Sequence, residues 1–259
     1  MDISVGMFGF GKTGCFVAEE IIKDDVCDLK WVVRKSSRHA GDFASRLLGY
    51  EQDKGQIFCL DDLDSRFFQT HKVDVIIDFS SGSAVEEYSR AAQCGTRIVS
   101  AISKYEKAQL NLLRELGKQT AVLYSPNITL GVNFLIEVSK VLQRIVPDAD
   151  IEIIEEHFRG KRDVSGTALR IAEDLGLSRE QHVNSIRVGG VVGKHEVVFG
   201  LPHQTIRLTH NSISRAAFGQ GAIFAAKWLM RKRKGIYTME EAVKLCFARN
   251  PNVFELDAS

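Results

Sequence analysis

A glycine pattern near the start of the chain constrains the fold more than any other feature of the sequence. Residues 3–8 form a short apolar run that predicts a β-strand, Gly9-x-Gly11-x-x-Gly14 follows it directly, and a helical pattern then continues to Ile22. Between a strand and a helix, such glycines permit a tight turn and let the backbone approach a pyrophosphate. The pattern predicts a dinucleotide-binding loop, and the alternative is a glycine turn that only packs a helix against a sheet. The predicted cofactor-binding residues of this loop are Gly9, Phe10, Gly11, Lys12, Thr13 and Gly14.

The remainder of the first half of the chain alternates strands with helices. Apolar runs predict strands at 29–33, 73–79, 97–99 and 121–124, and helical patterns lie at 84–94 and 106–116. Alternation of this kind indicates a doubly wound parallel sheet of the α/β class. Ligands of such sheets bind at the carboxyl ends of the strands, so we expect the functional residues there.

The pattern changes after Pro126-Asn127. A long amphipathic helix is predicted at 130–146, and three antiparallel strands are predicted at 185–192, 195–200 and 204–210. Two more helices, at 216–230 and 239–247, are expected to return to the first domain. We therefore predict a dinucleotide-binding domain of 1–126 and 216–259, and a smaller mixed α+β domain of 127–215, to which the family resemblance described below assigns substrate binding and oligomerisation.

The end of the second predicted strand distinguishes between nicotinamide cofactors. NAD-binding proteins usually place an acidic residue there for the ribose 2′-hydroxyl. This chain has Arg34-Lys35-Ser36-Ser37-Arg38 and no acid. Cations and hydroxyls suit a 2′-phosphate, so Arg34 and Lys35 predict NADPH, with NADH as the second choice. The alternative is a solvated basic loop.

Residues 152–168 indicate the chemistry. An apolar-alternating strand ends at His157, and the loop after it contains Arg159, Lys161 and Arg162. Ser165-Gly166-Thr167 then begins a predicted helix, whose first backbone N–H groups can bind a carboxylate or phosphate. The segment predicts a small-anion pocket beside a proton donor, and a basic surface loop is the alternative.

Composition excludes several other classes of protein. The formal net charge of +1 gives no basis for nucleic-acid binding. No apolar run approaches the ~18 residues that span a bilayer, so no membrane association is expected. Five cysteines without a C-x-x-C pair indicate a reducing compartment, and the first residues lack the basic region of a signal peptide. We expect a cytoplasmic protein without a metal site, because the histidines lack metal-ligand spacing.

Three stretches of the sequence together resemble the dihydrodipicolinate reductase family. The first is Glu152-Ile-Ile-Glu-Glu-His157 with Lys161-x-Asp163 and Ser165-Gly166-Thr167-Ala168. The second is Pro126-Asn127 with Gly131-Val132-Asn133, and the third extends from Arg187-Val188-Gly189 through His195 to Gly221-Ala222. With the glycine loop, the resemblance covers nearly the whole chain in the family's order.

The resemblance implies an activity, an assembly and a set of site residues. The activity is the NAD(P)H-dependent reduction of 4-hydroxy-tetrahydrodipicolinate, a small dicarboxylate, to tetrahydrodipicolinate in lysine and diaminopimelate biosynthesis. The assembly is a homotetramer built by the sheet of the second domain. His157 becomes the catalytic proton donor and Lys161 its cationic partner. The implied substrate-binding residues are Phe158, Ser165, Gly166 and Thr167. The residues implied at the nicotinamide are Ser100, Ala101, Ile102, Ser125, Pro126, Asn127 and Ile128.

The chain also departs from the family pattern at the rim of the implied pocket. Phe158 stands where the family has a second histidine, and the segment 163–167 is one residue shorter. Ser100-Ala101-Ile102-Ser103 replaces a Gly-Thr-Thr-Gly turn. These departures leave two alternative hypotheses. One is a divergent reductase of another small cyclic imine or unsaturated dicarboxylate, and the other is a catalytically weak dinucleotide-binding protein.

Overall fold

The chain folds into two units in the computed structural model, which describes residues 2–248. The first unit contains residues 2–129 and 218–242, and the second contains Leu130–Ala217 and residues 243–248. The sequence assigns 127–129 to the second domain and 216–259 to the first, so these two divisions differ at each boundary. The difference is largest in the last helix, whose residues from 243 onwards belong to the second unit.

A seven-stranded parallel sheet forms the centre of the first unit. With strands numbered along the chain, its order is β11-β6-β5-β4-β1-β2-β3. Every neighbouring pair is parallel, which confirms the predicted doubly wound sheet of Rossmann type. The strands are β1 Ile3–Phe8, β2 Cys27–Arg34, β3 Gln56–Cys59, β4 Val75–Asp78, β5 Arg97–Ser100, β6 Ala121–Tyr124 and β11 Gly235–Tyr237.

Helices cover both faces of this sheet because side chains of each strand alternate between two apolar layers. Ile76 packs in one layer with Tyr88 and Leu113, whereas its neighbour Ile77 packs in the other with Val17. Parallel strands buried on both faces are accordingly apolar at successive positions. The helices are α1 Lys12–Lys23, α2 Ala44–Leu47, α3 Phe67–Thr70, α4 Ala84–Gln93, α5 Lys107–Gly117, α9 Ala216–Leu229 and α10 Met239–Ala248, with a 3₁₀ turn at Leu60–Asp62.

The strand order reverses between β1 and β4. The chain proceeds from β1 to β2 and β3 on one side, and then continues from β4 on the other. Crossover connections leave a crevice at such a reversal, outside the carboxyl ends of the strands. The glycine loop follows β1 and therefore lies at this crevice.

The second unit contains a four-stranded sheet with the order β10-β9-β7-β8. Its apolar core includes Ile153, Ile171 and Phe199. The elements are α6 Leu130–Ile145, β7 Asp150–His157, α7 Gly166–Asp174, α8 Arg179–His182, β8 Val183–Arg187, β9 Gly193–Leu201 and β10 Gln204–Ser212.

The structure corrects the predicted pairing of this sheet. The hairpin of β9 and β10 is antiparallel as predicted, but the prediction for the preceding strand was wrong. That strand ends at Arg187 and pairs in parallel with β7, because the connection through α7 and α8 is long enough for a crossover. The sequence also missed β3 and β11, which lack a long apolar run, and the three four-residue helices, which are too short to show a helical period.

None of the helices within residues 2–248 is long and apolar enough to cross a membrane.

Candidate active site

Two glycines of the loop after β1 are required by close backbone packing. Gly9 has a φ of +95°, and a Cβ atom there would lie 2.8 Å from the backbone of Phe79 and Ser80. A Cβ atom on Gly14 would lie 2.1 Å from the carbonyl oxygen of Gly9. Gly11 differs, because a Cβ atom added there would meet nothing within 4 Å among residues 2–248 beyond its own chain neighbours. Its backbone is therefore open to a ligand, as a diphosphate-binding glycine must be.

The first helix presents its N-terminus at this loop. Gly11 occupies the N-cap position, so no side chain caps the helix there, and the first turn contains no acidic residue. The first-turn N–H groups of a helix and its dipole attract an anion. Lys12 is exposed, Thr13 is half-buried, and Phe10 is buried beside them. The loop fits the pyrophosphate of a dinucleotide.

A cavity of about 440 Å³ opens at the carboxyl ends of the strands beside the loop. It brings together the sequence-predicted residues Thr13, Ala101, Ile102, Pro126 and Ile128. Ser100 and Ser125 are instead buried, and the Ser125 hydroxyl donates a 2.8 Å hydrogen bond to the carbonyl of Asn127. The lining residues that the sequence did not assign to the site include Ser80, Ser81, Lys104 and Phe218.

The predicted 2′-phosphate site lies at the end of β2. Arg34 is the last residue of the strand and is half-buried, and Lys35 follows it and is exposed. Burial raises the pKa of the Cys15 thiol in α1, and the nearby Arg34 charge opposes that rise. Within residues 2–248, neither Arg34 nor Lys35 forms an ion pair. Both cations therefore remain available to a ligand, and Arg34 lies near α1.

In the second unit, His157 ends β7 and is 9 % exposed. Its Nδ1 lies 2.5 Å from Oε2 of Glu155. The two side chains meet because residues two apart on a strand point to the same face of the sheet. A ring whose Nδ1–H is donated to a carboxylate has Nε2 left for a substrate, and the charged ring carries a proton on each nitrogen.

Glu155 is completely buried, and several donors compensate its charge. Arg187 donates hydrogen bonds of 2.9 and 2.6 Å to its two oxygens, Ser185 Oγ donates one of 2.6 Å, and Ser165 N donates one of 3.2 Å. Burial alone would raise the pKa of this carboxyl, but the hydrogen bonds from Arg187, Ser185, His157 and Ser165 lower it to about 2. Glu155 is therefore a carboxylate at all ordinary pH values.

Arg187 also holds the basic loop in place. Its guanidinium donates to the carbonyl of Lys161 at 3.0 Å and to that of Asp163 at 2.9 Å. The backbone N–H of Lys161 donates to the carbonyl of Phe158 at 3.0 Å, which closes a turn. The Lys161 side chain is half-buried, and Phe158 is 46 % exposed. One residue thus fixes both the carboxylate behind His157 and the loop that carries the predicted cation.

The N-terminus of α7 is open to an anion. Ser165 is its N-cap, but the hydroxyl is 2.8 Å from Nε2 of His195 and does not cap the helix. Burial, followed by the nearby His157 and His210, lowers the pKa of His195 to about 3, so this ring is neutral. Gly166 is exposed and Thr167 is half-buried at the first turn. The dipole at this end of the helix favours a carboxylate.

The sequence missed three polar residues around His157: Glu155, Arg187 and His195. The position of Glu155, two residues before His157 on one strand, is a signal that could have identified it. Arg187 gave no such signal, because its contact with Glu155 depends on the parallel pairing of β7 with β8.

Comparison with known proteins identifies the family. The N-terminal model of dihydrodipicolinate reductase matches residues 3–128, and the C-terminal model matches residues 131–243. The chain belongs to the dihydrodipicolinate reductase family. It is therefore an NAD(P)H-dependent oxidoreductase of lysine and diaminopimelate biosynthesis, as the resemblance implied.

Curated relatives and a solved structure agree with this family. The 4-hydroxy-tetrahydrodipicolinate reductase of Nitratiruptor sp. is 31% identical over 268 residues, which cover 94% of this chain and 100% of the relative. That of Caldanaerobacter subterraneus subsp. tengcongensis is 34% identical over 195 residues, covering 67% and 78%. The dipicolinate-bound dihydrodipicolinate reductase from Paenisporosarcina sp. TG-14 superposes with a TM-score of 0.75 at 22% identity, covering 93% and 99%. This last likeness confirms the fold.

Proposed function

We propose that this protein reduces 4-hydroxy-tetrahydrodipicolinate with NADPH, and that His157 donates the proton. The substrate gains a hydride and a proton and loses its hydroxyl as water, which yields tetrahydrodipicolinate and NADP⁺. The bound nicotinamide would supply the hydride. The observation that best supports the proposal is the buried Glu155–His157 pair beside an uncapped helix N-terminus.

The proton-donor role follows from the contacts of His157. Hydride addition to a conjugated ring leaves negative charge on the substrate, which a proton must neutralise. Glu155 accepts the Nδ1 hydrogen of the imidazole and thereby fixes the orientation of the ring, so the proton to be donated is the one carried at Nε2. Nε2 points away from Glu155 and lies near Gly193, where an added Cβ would be 3.1 Å away. A larger residue at 193 would crowd the donating nitrogen.

The substrate-binding role rests on positive charge in the same unit. Lys161 adds a cation to the loop beside His157, and the first turn of α7 at Gly166 and Thr167 adds N–H donors. A dicarboxylate needs such fixed donors to offset its loss of hydration. The Ser165 hydroxyl lies against neutral His195 and makes no cap on this helix end.

The preference for NADPH is the finer part of the cofactor proposal. Arg34 and Lys35 have no internal ion pairs within residues 2–248, and no acid ends β2 to receive a ribose 2′-hydroxyl. A phosphate gains charge-assisted hydrogen bonds from such groups. NADH lacks the phosphate and would gain none of them.

A homo-oligomer, with four chains as our first choice, is also proposed. β8 and β10 are the edges of the second sheet, so each has unpaired backbone groups. Ile186 on β8 is 43% exposed, and Ile213 directly after β10 is 90% exposed. Large apolar side chains at sheet edges favour burial against another copy of the chain.

A second candidate function is the reduction of a related cyclic imine or unsaturated dicarboxylate. It is favoured by Phe158, which is 46% exposed and cannot bind a carboxylate as a histidine can. The replaced turn at Ser100-Ala101-Ile102-Ser103 points the same way, because it changes the lining of the cofactor cavity.

The test is an NADPH-oxidation assay with substrate made freshly by dihydrodipicolinate synthase. We expect His157→Gln to lower kcat about 100-fold or more while NADPH still binds, because only the proton donor is removed. Lys161→Ala should lower kcat and raise KM, because it removes a cation from the substrate site. Arg162→Ala, an exposed neighbour in the same loop, is the matched control and should change neither constant appreciably.

Two results would contradict parts of the proposal. A fully active His157→Gln enzyme would exclude His157 as the acid. Tight NADPH binding by the unmodified protein, without turnover of this substrate, would favour the second candidate function.

A further inference from the structure

A buried carboxylate in the first unit has no part in the chemistry described above. Asp78 is the last residue of β4 and is completely buried. It accepts two hydrogen bonds from Ser80 on Oδ1, from the backbone N–H at 2.9 Å and from the hydroxyl at 2.6 Å. On Oδ2 it accepts one from the hydroxyl of Tyr88 at 3.0 Å.

The hydrogen bonds continue from Tyr88 to the other wall of the cavity. The hydroxyls of Tyr88 and Tyr105 are 3.3 Å apart, and that of Tyr105 is 2.7 Å from Ser100 Oγ. Ser100 Oγ in turn lies 3.5 Å from the backbone N–H of Ile102. Since Ser80 and Ile102 both line the cofactor cavity, Asp78 is linked to two of its walls.

From this arrangement we infer that Asp78 is a positioning residue for the dinucleotide, and that it orders both walls of the cofactor cavity through Ser80 and through the Tyr88–Tyr105–Ser100 chain. The inference rests on the proposed function, because it concerns the same cofactor site. The hydrogen bonds that join Tyr88, Tyr105 and Ser100 also explain how this protein accommodates a serine at position 100, where the family has a glycine. The added hydroxyl is an integral member of the hydrogen-bond chain.

When Asp78 is ionised, each hydroxyl in this hydrogen-bond chain must donate in one direction, towards Asp78. A carboxylate only accepts, so Tyr88 must donate to it, Tyr105 to Tyr88, and Ser100 to Tyr105. Ser100 Oγ is then free to accept from Ile102 N–H. If Asp78 is protonated on Oδ2, the hydroxyl directions reverse, and the Ser100 hydrogen has no acceptor in the chain. A buried donor without an acceptor is costly, so the wall at 100–104 is held less firmly.

Few groups near Asp78 can titrate with it. Tyr88 on α4 and Tyr105 before α5 are the titratable groups that act on it within the described residues, and burial raises the pKa of both. The paired residues on the neighbouring strands, Phe8 on β1 and Ser100 on β5, carry no charge. Burial raises the pKa of Asp78 to about 6, although Ser80 and Tyr88 oppose that rise. Its ionisation thus falls within an accessible pH range.

The test measures NADPH dissociation constants by titration at pH 8 and pH 5 for the unmodified protein and for Tyr105→Phe. This variant removes the central hydroxyl and touches neither Asp78 nor the cavity-lining residues Ser80 and Ile102. We expect its dissociation constant to be about fivefold or more above that of the unmodified protein at pH 8. The ratio of the two constants should fall towards one at pH 5. Taking the ratio cancels titration of the cofactor's own 2′-phosphate, which has a pKa near ~6.

Tyr124→Phe is the matched control. Its ring packs edge-on against Tyr105 at 5.4 Å between centroids, but its hydroxyl makes no hydrogen bond within residues 2–248. It should bind NADPH as the unmodified protein does at both pH values. Asp78→Asn is the second variant, because an amide donates towards Tyr88 and imitates the protonated acid. It should weaken binding at pH 8, and because the amide does not titrate, its ratio to the unmodified protein should also fall towards one at pH 5.

The outcomes separate this inference from the proposed function. NADPH binding by the unmodified protein, with unchanged constants in both Tyr105→Phe and Asp78→Asn, would overturn the inference alone. The same fold-change at pH 8 and pH 5 in Tyr105→Phe would indicate a merely structural role and would also overturn it. Failure of the unmodified protein to bind either dinucleotide would overturn both.

Discussion

Replacing Glu155 with glutamine should remove the carboxylate that orients the proposed proton donor, His157. The amide keeps the shape of the side chain but removes the charge that His157 and Arg187 both contact. Loss of one charge-assisted hydrogen bond costs about 1.5–3 kcal/mol, and each 1.4 kcal/mol is about tenfold in rate. We therefore expect kcat to fall about 10- to 100-fold with little change in NADPH affinity.

The same substitution should lower the free energy of unfolding, and the pKa shift of Glu155 indicates by how much. Folding lowers this pKa from 4.5 to about 2, which corresponds to about 3 kcal/mol of folding free energy at neutral pH. Because the pKa is lowered, this stabilisation is fully present above pH 4.5 and is lost as the pH falls through about 2. Glu155→Gln should lack this stabilisation at every pH and also leave the half-buried Arg187 without a counter-charge.

Two further variants separate stability from catalysis. Glu156→Gln is the matched control, since Glu156 is the adjacent residue but pairs with Lys194 at 2.6 Å on a partly exposed site. It should change the free energy of unfolding by less than about 1 kcal/mol and leave kcat unchanged. In the double variant Glu155→Gln with Arg187→Met, no unpaired charge remains, so stability should partly return while kcat stays low.

Urea unfolding and steady-state kinetics at pH 7.5 measure the two effects. Recovery of kcat together with stability in the double variant would refute the positioning role, because it would show that Glu155 acts only through folding. An unchanged kcat in the single variant would refute it more directly.

Two further predictions concern the cofactor and the assembly. Lys35→Ala should weaken NADPH binding about tenfold and leave NADH binding unchanged, because only NADPH has the phosphate that this cation would contact; equal losses for both cofactors in a calorimetric titration would exclude a 2′-phosphate site at the end of β2. Light scattering at micromolar concentration should give the mass of several chains, and Ile213→Glu should lower it, whereas a monomeric unmodified protein would rule out the proposed assembly.

Local patterns were sufficient to predict the first unit. The glycine loop is short in sequence and its role depends on adjacent elements, so Gly9 and Gly14 could be placed without knowledge of distant contacts. Most of the parallel strands contain an apolar run, and the helices between them have clear periodicity. The strands β3 and β11 were missed, because β3 begins with Gln56 and β11 has only three residues, so neither gives a long apolar run.

Long-range pairing limited prediction in the second unit. Residues 183–187 have β-character, but nothing local shows whether they pair with the strand before them or after them. They pair with β7, and that choice brings Arg187 next to Glu155. The sequence could therefore predict His157 and Lys161 as candidates, but not the residues that hold them. Tyr105 was not predicted for the same reason, because its contacts are also long-range: it lies 17 residues from Tyr88 and 27 from Asp78 in the sequence.

Asp78 and Glu155 show how the partner of a buried carboxylate determines its effect on stability. Both organise a loop by accepting several hydrogen bonds. Glu155 has a guanidinium among its donors and a pKa of about 2, whereas the donors to Asp78 are neutral and its pKa rises from 3.8 to about 6. For Asp78 the linkage therefore has the opposite sign: above pH 6 its ionisation costs about 3 kcal/mol of stability, and the cost disappears as the pH falls below 3.8.

The opposite signs separate the two carboxylates experimentally. Neutralising Glu155 removes a favourable charge, so Glu155→Gln should unfold at lower urea concentration than the unmodified protein. Neutralising Asp78 removes an unfavourable one, so Asp78→Asn should be at least as stable at neutral pH while it binds NADPH more weakly. A residue that is retained only because it helps folding would not lower the stability of the folded protein. An ionised Asp78 that costs stability is consistent with retention for the cofactor site, as expected where functional geometry opposes stability.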